Sequence, residues 1–394
     1  MSYKHGIYVT EAETDLLTMS QQAAGVTVVV GTAPTACAEP VLCYTPNEAA
    51  TKLGYSTDTA TFTLCEAMDV LYGQYNVAPV VFINAYKAGA SSDTTITNVA
   101  GYTDTSTGAA TGLDLIEEIY PRFGLTVGQI IAPGFSQYPT VGAKMAAKAE
   151  SINGHFSAMA IVDLDTTISP TLDAIRAAKT TAGYSSAHMA VCYPMVSYGG
   201  RKQHLSTHVA GLLCKLSASD GDIPYRSPSN RELYIDGMIK EDGSSCYFGQ
   251  SLANDLNGEG IVTVLRQDGW RCWGNRTAAA TSQDPKDTWI AVHRMFDYVK
   301  AALVLNFRSK LDEPILRRNI ESVVNSVNVY LNGLVSKGAL LGGRVVYADE
   351  DNTEADIMDG RLNFRCYITP PTPAREINFT LQYDRSYLTT VLEG

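Results

Sequence analysis

His204 and His208 stand four residues apart in an apolar-faced stretch, the spacing that sets two imidazoles on one face of a helix and can hold zinc. The glutamate that follows the first histidine in zinc hydrolases is absent, with Leu205 in that place. Two part-exposed helix histidines are the plainer reading. Cys37 and Cys43 lie six residues apart with no second pair to complete a zinc cluster. Asp163 and Asp165 end an apolar strand-like run, the position where α/β enzymes place catalytic acids. His188 opens the next such run, although a turn or helix-start role is the more common one for aspartates there. Asp349, Asp351, Asp356 and Asp359 gather oxygen ligands without the spacing of a calcium loop. Gly31-Thr32-Ala33 is too short to cradle a dinucleotide, and no GxGxxG, P-loop or GxSxG occurs. We therefore expect no catalytic residue, no cofactor and no metal.

The elements that would position these residues alternate between strand and helix. Gly25 to Gly31 is a continuous apolar run and reads as a buried strand. Thr45-Pro46-Asn47-Glu48 has the form of a capping box with proline at the first helical position, and Gly54 ends that helix. Phe62, Cys65, Met68 and Tyr72 recur at helical spacing before a strand at 77–83. The Ser, Thr and Gly-rich stretch from about 90 to 112 reads as a surface hairpin or loop and a domain seam. Helices at 112–123, 140–151 and up to Gly183 then alternate with strands at 129–132, 158–163 and 188–193, the order of a partly parallel sheet covered by helices. A helix is expected at 201–216 and irregular chain at 217–260. Long helices should start at Asp284 and Pro314, the first burying Trp289, Val292, Phe296, Val299 and Leu303. Strands at 343–348 and 361–369 flank an acidic turn.

With 394 residues the chain exceeds one typical core. The net charge of −11 is uneven: residues 1–200 carry 8 Lys+Arg against 17 Asp+Glu, and residues 201–394 carry 22 against 24. The acidic front half would repel phosphate, which argues against nucleic acid as a partner. No run of 18 apolar residues calls for membrane insertion, and the first residues lack the apolar core of a secretion signal. The eight cysteines fall mostly inside apolar patterns, as expected of reduced thiols in a product made in the cytoplasm.

One stretch organises the rest. In residues 260–278, GIVTVLRQDGWRCWGNRTA, a strand pattern leads to Asp268-Gly269, a dipeptide suited to a tight hairpin turn. Gly269, Trp270, Trp273, Gly274, Asn275 and Arg276 follow in close order. At the far end Pro370-Pro371-Thr372-Pro373 stiffens the chain ahead of Ile377, Phe379, Leu381 and Tyr383, which alternate with polar residues. An exposed strand of this pattern must pair within its own sheet or add to a neighbour's. The N-terminal stretch with Ile7 and Val9 reads as a second extended arm. From pattern alone, both arms finishing the chain's own sheet and both reaching a neighbour stay open.

Asp-Gly-Trp followed by Trp-Gly-Asn-Arg-Thr-Ala resembles the signature of contractile-tail sheath proteins of phages and phage-like bacteriocins. His5-Gly6-Ile7-Tyr8-Val9 resembles that family's opening. Val324-Asn325-Ser326-Val327-Asn328 with Leu331, the 338–343 turn and Asp359-Gly360-Arg361-Leu362 resemble its back domain. The resemblance is strong over the arms and about 258–391, looser in the front, and has no counterpart for the Ser/Thr-rich stretch near 90–112. It implies a multi-domain α/β (α+β) sheath subunit: an N-terminal arm (1–20), a small outer α/β domain (21–112), a middle α/β domain (113–257), a core domain of antiparallel sheet and long helices (258–373) and a C-terminal β-arm (374–394). It further implies a helical stack of hexameric rings, linked through the arms, around an inner tail tube protein. Baseplate and tail terminator proteins are the other implied partners, in a phage tail or phage-like particle assembled in the host cytoplasm. Lys300, Arg308, Lys310, Arg317 and Arg318 on the back helices are the candidates to face an acidic tube. An α/β enzyme with a site near Asp163, Asp165 and His188, and a passive capsid or surface-array protein, are the alternatives.

Overall fold

The computed structural model describes Met19 and residues 23–388; the expected N-terminal arm, with Ile7 and Val9, lies outside them. The front of the chain runs β1 (Val26–Gly31), β2 (Val41–Cys43), α1 (Pro46–Leu53), α2 (Thr63–Met68), β3 (Val80–Asn84), α3 (Ser92–Ala100), α4 (Ile119–Phe123), β4 (Val127–Ile131), α5 (Pro139–Glu150), β5 (Met159–Asp163), α6 (Leu172–Thr181) and β6 (Met189–Cys192). It continues through β7 (Met195–Tyr198), β8 (Arg201–Gln203), α7 (Leu205–Ser219), β9 (Arg231–Glu232), β10 (Gly237–Ile239), α8 (Gln250–Gly258), β11 (Ile261–Gln267) and β12 (Gly269–Trp273). The back comprises α9 (Pro285–Thr288), α10 (Ile290–Phe307), α11 (Arg317–Ser336), β13 (Gly342–Val346), α12 (Glu354–Met358) and β14 (Arg365–Thr369).

Nine strands form one sheet in the order β2-β3-β1-β4-β5-β6-β11-β12-β9. The centre from β3 to β11 is parallel, and antiparallel strands close both ends. Helices cover both faces of a parallel sheet, so its strands read as unbroken apolar runs. All residues of β1, β3 and β5 are buried. A buried amide ties sheet to helix: Gln129 Nε2 donates to Thr27 Oγ1 at 2.9 Å and to the Ala210 carbonyl of α7 at 2.8 Å. The sheet runs unbroken across residues 112 and 257, where the expected seams fell, because β1 pairs with β4 and β6 pairs with β11.

A second, smaller core gathers Met295, Tyr298 and Val299 of α10 with Val327, Leu331 and Leu334 of α11 and Val345 of β13. Helix α10 lies between the two cores, which explains why its expected stripe was too narrow. Residues 290–295 are all buried, whereas Trp289, Phe296 and Leu303 are only half-buried. β13 and β14 pair as a separate two-stranded antiparallel sheet.

Several boundaries differ from expectation. The stretch read as a surface loop holds α3, capped by Ser91 accepting from Thr94 N at 3.2 Å and ended by Gly101 at φ 81°. Thr95 and Thr97 satisfy their hydroxyls on the carbonyls four residues back. Packing against α5 overrides their weak helix propensity. Residues 201–203 form β8 rather than the start of a helix, and α8 lies in the region expected to be irregular. Trp289 is extended and splits the helix expected from Asp284 into α9 and α10, and the next helix begins at Arg317 rather than Pro314. Thr45 caps α1 as expected, but Glu48 reaches back to Tyr44 N rather than to the cap residue.

The 260–278 stretch is where the sheet hands over to the helices. β11 and β12 turn at Asp268, with Gly269 at φ 91°. Trp273 Nε1 donates to Asn254 Oδ1 at 2.9 Å, and Asn275 N to Asn257 Oδ1 at 3.0 Å. The Asn275 carbonyl accepts from Ile290 N at 3.0 Å, at the start of α10, and Thr277 N donates to the Thr288 carbonyl at 3.0 Å. The Arg276 guanidinium stacks over Trp289, 5.6 Å from the ring centre. Gly274, at φ 151°, passes so close to β11 that a Cβ would lie 2.7 Å from the Val262 Cα.

Two outcomes follow from these contacts. Gly274→Ala should destabilise the chain by more than about 1 kcal/mol, read as a lower urea midpoint; an unchanged midpoint would contradict the close approach. His204, at the start of α7, forms a largely buried ion pair with Glu66 of α2, Nδ1 to Oε2 at 2.8 Å. Burial opposes the charged ring, but the Glu66 carboxylate outweighs it and raises the His204 pKa to about 9. A raised folded-state pKa gives stability that is full below the unfolded value of about 6.5 and lost as pH rises through about 9, at most about 3 kcal/mol. Urea midpoints should therefore fall between pH 6.5 and 9 in the wild type, and Glu66→Gln should remove that fall.

Candidate functional site

The residues that the sequence singled out for their chemistry do not converge on one another. Asp163 is buried and caps the start of α7: its carboxylate accepts from Ser206 N at 2.9 Å, from Ser206 Oγ and from Ser136 Oγ at 3.2 Å. Burial raises its pKa. Asp165 closes a local turn onto Thr167. His188 sits before the first residue of β6, while Asp163 pairs with Cys192 at the last. Four residue steps of strand, about 13 Å, therefore separate the level of Asp163 from His188, and the trio forms no site. His208 is buried rather than part-exposed, whereas His204 keeps a small exposed edge, its side chain 12% accessible. His208 holds Tyr75 Oη at 3.2 Å and Gln203 Oε1 at 2.9 Å, and burial lowers its pKa to about 3. The acidic turn is tied by Arg361 to Asp356 and Asp359, and by Arg365 to Asp351.

The surface that stands out is the C-terminal arm. After β14 ends at Thr369, residues 370–384 carry no secondary structure, and no strand pairs with them among the described residues. The prolines at 370, 371 and 373 supply no N–H and hold the chain extended. Ile377, Phe379, Leu381 and Tyr383 are 71%, 88%, 97% and 74% exposed. The base of the arm, Pro373 to Ile377, runs beside a groove lined by Arg226, Asn230, Asn254, Trp273, Asn275 and Arg276. The organising hairpin thus forms the wall along which the arm departs. The nearby β13–β14 pair has no third strand among the described residues, so its outer edges are open to another strand.

The five basic candidates divide into two groups. Lys300 Nζ donates to Ser157 Oγ at 3.3 Å. Arg308 donates to Tyr120 Oη at 2.8 Å and lies 4.6 Å from that ring centre. Both therefore brace α10 against the front of the same chain. Lys310 lies in the short turn after α10, and Arg317 and Arg318 are exposed on the first turn of α11. Arg317 pairs with Glu321 one turn on, at 2.9 Å. Leu311 and Leu316 are exposed beside them, a feature that the charge-based reading did not include.

Residues 282–384 match the family model described as phage tail sheath C-terminal domain. A Pseudomonas aeruginosa (strain UCBPP-PA14) chain assigned as a prophage major tail sheath protein is 28% identical over 412 residues, covering 100% of both chains. The tail sheath protein of Escherichia phage P2 is 23% identical over 411 residues, covering 99% of this chain and 98% of its own. Among solved structures, the helical sheath of the anti-feeding prophage in its contracted state superimposes with a TM-score of 0.69 at 18% identity, over 98% of this chain and 100% of that one. The contracted sheath complex of the PVC extracellular contractile injection system gives a TM-score of 0.69 at 17% identity, over 98% and 99%. Those structures share the fold. Residues 282–384 thus match the tail sheath C-terminal domain, and over its whole length the chain is similar to contractile tail sheath proteins of phages and phage-like particles.

Proposed function

We propose that the chain polymerises around an inner tail tube and shortens to drive that tube through a target envelope, with the C-terminal arm as the link that survives the change. The unpartnered arm carries this reading. Each ladder hydrogen bond contributes about 0.5–1.5 kcal/mol net, and each buried large apolar side chain about 1.5–3 kcal/mol. Four such side chains on an arm already stiffened by prolines exceed the cost of ordering it by several kcal/mol. The seat we assign to the arm is the open edge of a neighbouring copy's β13–β14 pair, in the manner of β-augmentation. Ile7 and Val9 belong to a second link of the same kind. Subunits would then rotate and repack as rigid bodies between a long and a short form, with no covalent catalysis.

In this reading the subunits stack as hexameric rings, with a baseplate below and a terminator above, in a phage tail or phage-like particle assembled in the host cytoplasm. Lys310, Arg317 and Arg318, with Leu311 and Leu316, face the tube. Lys300 and Arg308 serve it indirectly by fixing α10. The organising hairpin supplies the rigid joint that transmits load from the sheet to the back helices.

Removing residues 374–394 should abolish hollow cylinders in negative stain and leave a folded body with an unchanged circular dichroism spectrum. Phe379→Asp should weaken each link by about 3 kcal/mol, roughly a hundredfold, and raise the concentration needed for polymerisation; wild-type polymerisation would remove the arm from the interface. Charge reversal at Arg317 and Arg318 together should leave cylinders intact but lower the fraction that retain tubes in co-sedimentation, and unchanged retention would remove those residues from the tube face.

A further inference from the structure

One cluster of chemistry-bearing side chains is used neither by the fold account nor by the sheath reading. His188 precedes β6, and His293 and Asp297 lie one turn apart on α10. The three groups present one ligand atom each, all within 4.8 Å of one another. His188 Nδ1 is 3.1 Å from His293 Nε2, and Asp297 Oδ2 is 3.9 Å from each of those nitrogens. A tetrahedral zinc ion with bonds of about 2.0–2.2 Å places its ligand atoms about 3.3–3.5 Å apart, close to this triangle.

The surrounding contacts orient the set. His293 Nδ1 faces the Lys286 carbonyl at 3.2 Å, so a proton on that nitrogen leaves the Nε2 lone pair aimed into the cluster. Asp297 Oδ1 accepts from Ser157 Oγ at 2.7 Å. Such outer partners fix ligating histidines and carboxylates in metal sites. His188 Nδ1 lies 3.2 Å from the Ala158 carbonyl, and a hydrogen bond donated there still leaves two lone-pair-bearing groups facing each other. The buried Asp297 Oδ2 has no hydrogen-bond partner among the described residues. Arg294 and Lys300 are the nearby cations, and they turn their hydrogen bonds to Ser217 and Ser157 instead. Ser157, Arg294 and Asp297 line a small cleft on the Asp297 side of the cluster.

We propose that His188, His293 and Asp297 form a binding site for a divalent transition metal of the zinc class, with a water as fourth ligand. The site ties the N-terminal end of a central sheet strand to the first turns of α10, across the joint between the front sheet and the back helices. Its role is structural: two nitrogens and one carboxylate hold the ion, and occupancy stabilises the folded chain by mass action. His188 exchanges its contact with the Ala158 carbonyl for the metal, a tautomer change that needs no other group to move. The inference stands on the monomer alone and does not depend on the sheath reading.

The test uses the full-length chain, stripped with a chelator and titrated with zinc chloride. Bound zinc is counted by elemental analysis after gel filtration, and cobalt(II) serves as a spectroscopic probe. The wild type should retain one zinc per chain, show the strong visible bands of tetrahedral cobalt, and melt at a higher temperature with zinc than without. Asp297→Asn and His188→Asn should each lose that zinc, the cobalt bands and the zinc-dependent rise in melting temperature. The half-buried His188 position keeps the comparison usable if the first variant folds poorly. Ser157→Ala should weaken zinc binding by about tenfold. A wild type that retains no zinc, or variants that bind it as the wild type does, would overturn the proposal and leave the cluster as a site for a shared proton only.

Discussion

An extended segment with a large apolar side chain at every second position cannot rest in water by itself. Its backbone groups are satisfied by solvent, but Ile377, Phe379, Leu381 and Tyr383 together leave most of their surface wet. The chain's own sheets do not resolve this. The nine-stranded sheet is closed at its far end by the short β9, and the arm leaves along the hairpin wall rather than joining it. The prolines before the arm bias the balance further, since they remove hydrogen-bond donors and hold the chain out. What remains is an exposed apolar segment that no strand among the described residues covers, beside a two-stranded back sheet whose outer edges are also unpaired there.

The body that carries the arm is built for stiffness. A single sheet spans the front of the chain, and the 260–278 stretch locks it to the back helices through backbone bonds at Asn275 and Thr277, the Arg276–Trp289 stack and a glycine with no room for a side chain. Lys300 and Arg308 add two further braces between α10 and the front. A subunit that transmits force through terminal links needs a body that does not yield first. The stretch that carried the family resemblance in the sequence sits where sheet, helix and departing arm meet.

Much of the front was legible because buried parallel strands leave unbroken apolar runs, as at 26–31 and 159–163, and because Thr45, Pro46 and Gly54 punctuate a helix in the expected way. The misses share one cause: tertiary contacts overrode local composition. Helix α3 is rich in threonine and serine, which satisfy their hydroxyls along the helix while packing against α5 supplies the stability. The break at Trp289 follows from backbone bonds to residues 275 and 277, which no local pattern encodes. The buried faces of α10 exceed one stripe because it serves two cores. Lys300, Arg317 and Arg318 lie on the back helices as read, whereas Arg308 and Lys310 fall in the turn after α10, and sequence could not separate Arg308, committed to the Tyr120 ring, from Arg317 and Arg318. The alternation at 377–383 was legible as a segment that needs a partner, and among the described residues it pairs with no strand of the chain's own sheets. The His188, His293 and Asp297 cluster was invisible, because a separation of more than 100 residues joins its two halves.

The central claim is that residues 376–383 become a strand only on a neighbouring copy. Cryo-electron microscopy of purified polymers, at a resolution that traces the main chain, tests it most directly. The account predicts continuous density for the arm crossing to an adjacent subunit and pairing with the open edge of its β13–β14 sheet, with Phe379 and Leu381 covered. An arm traced back onto its own body, with neighbouring subunits held by other surfaces, would contradict it.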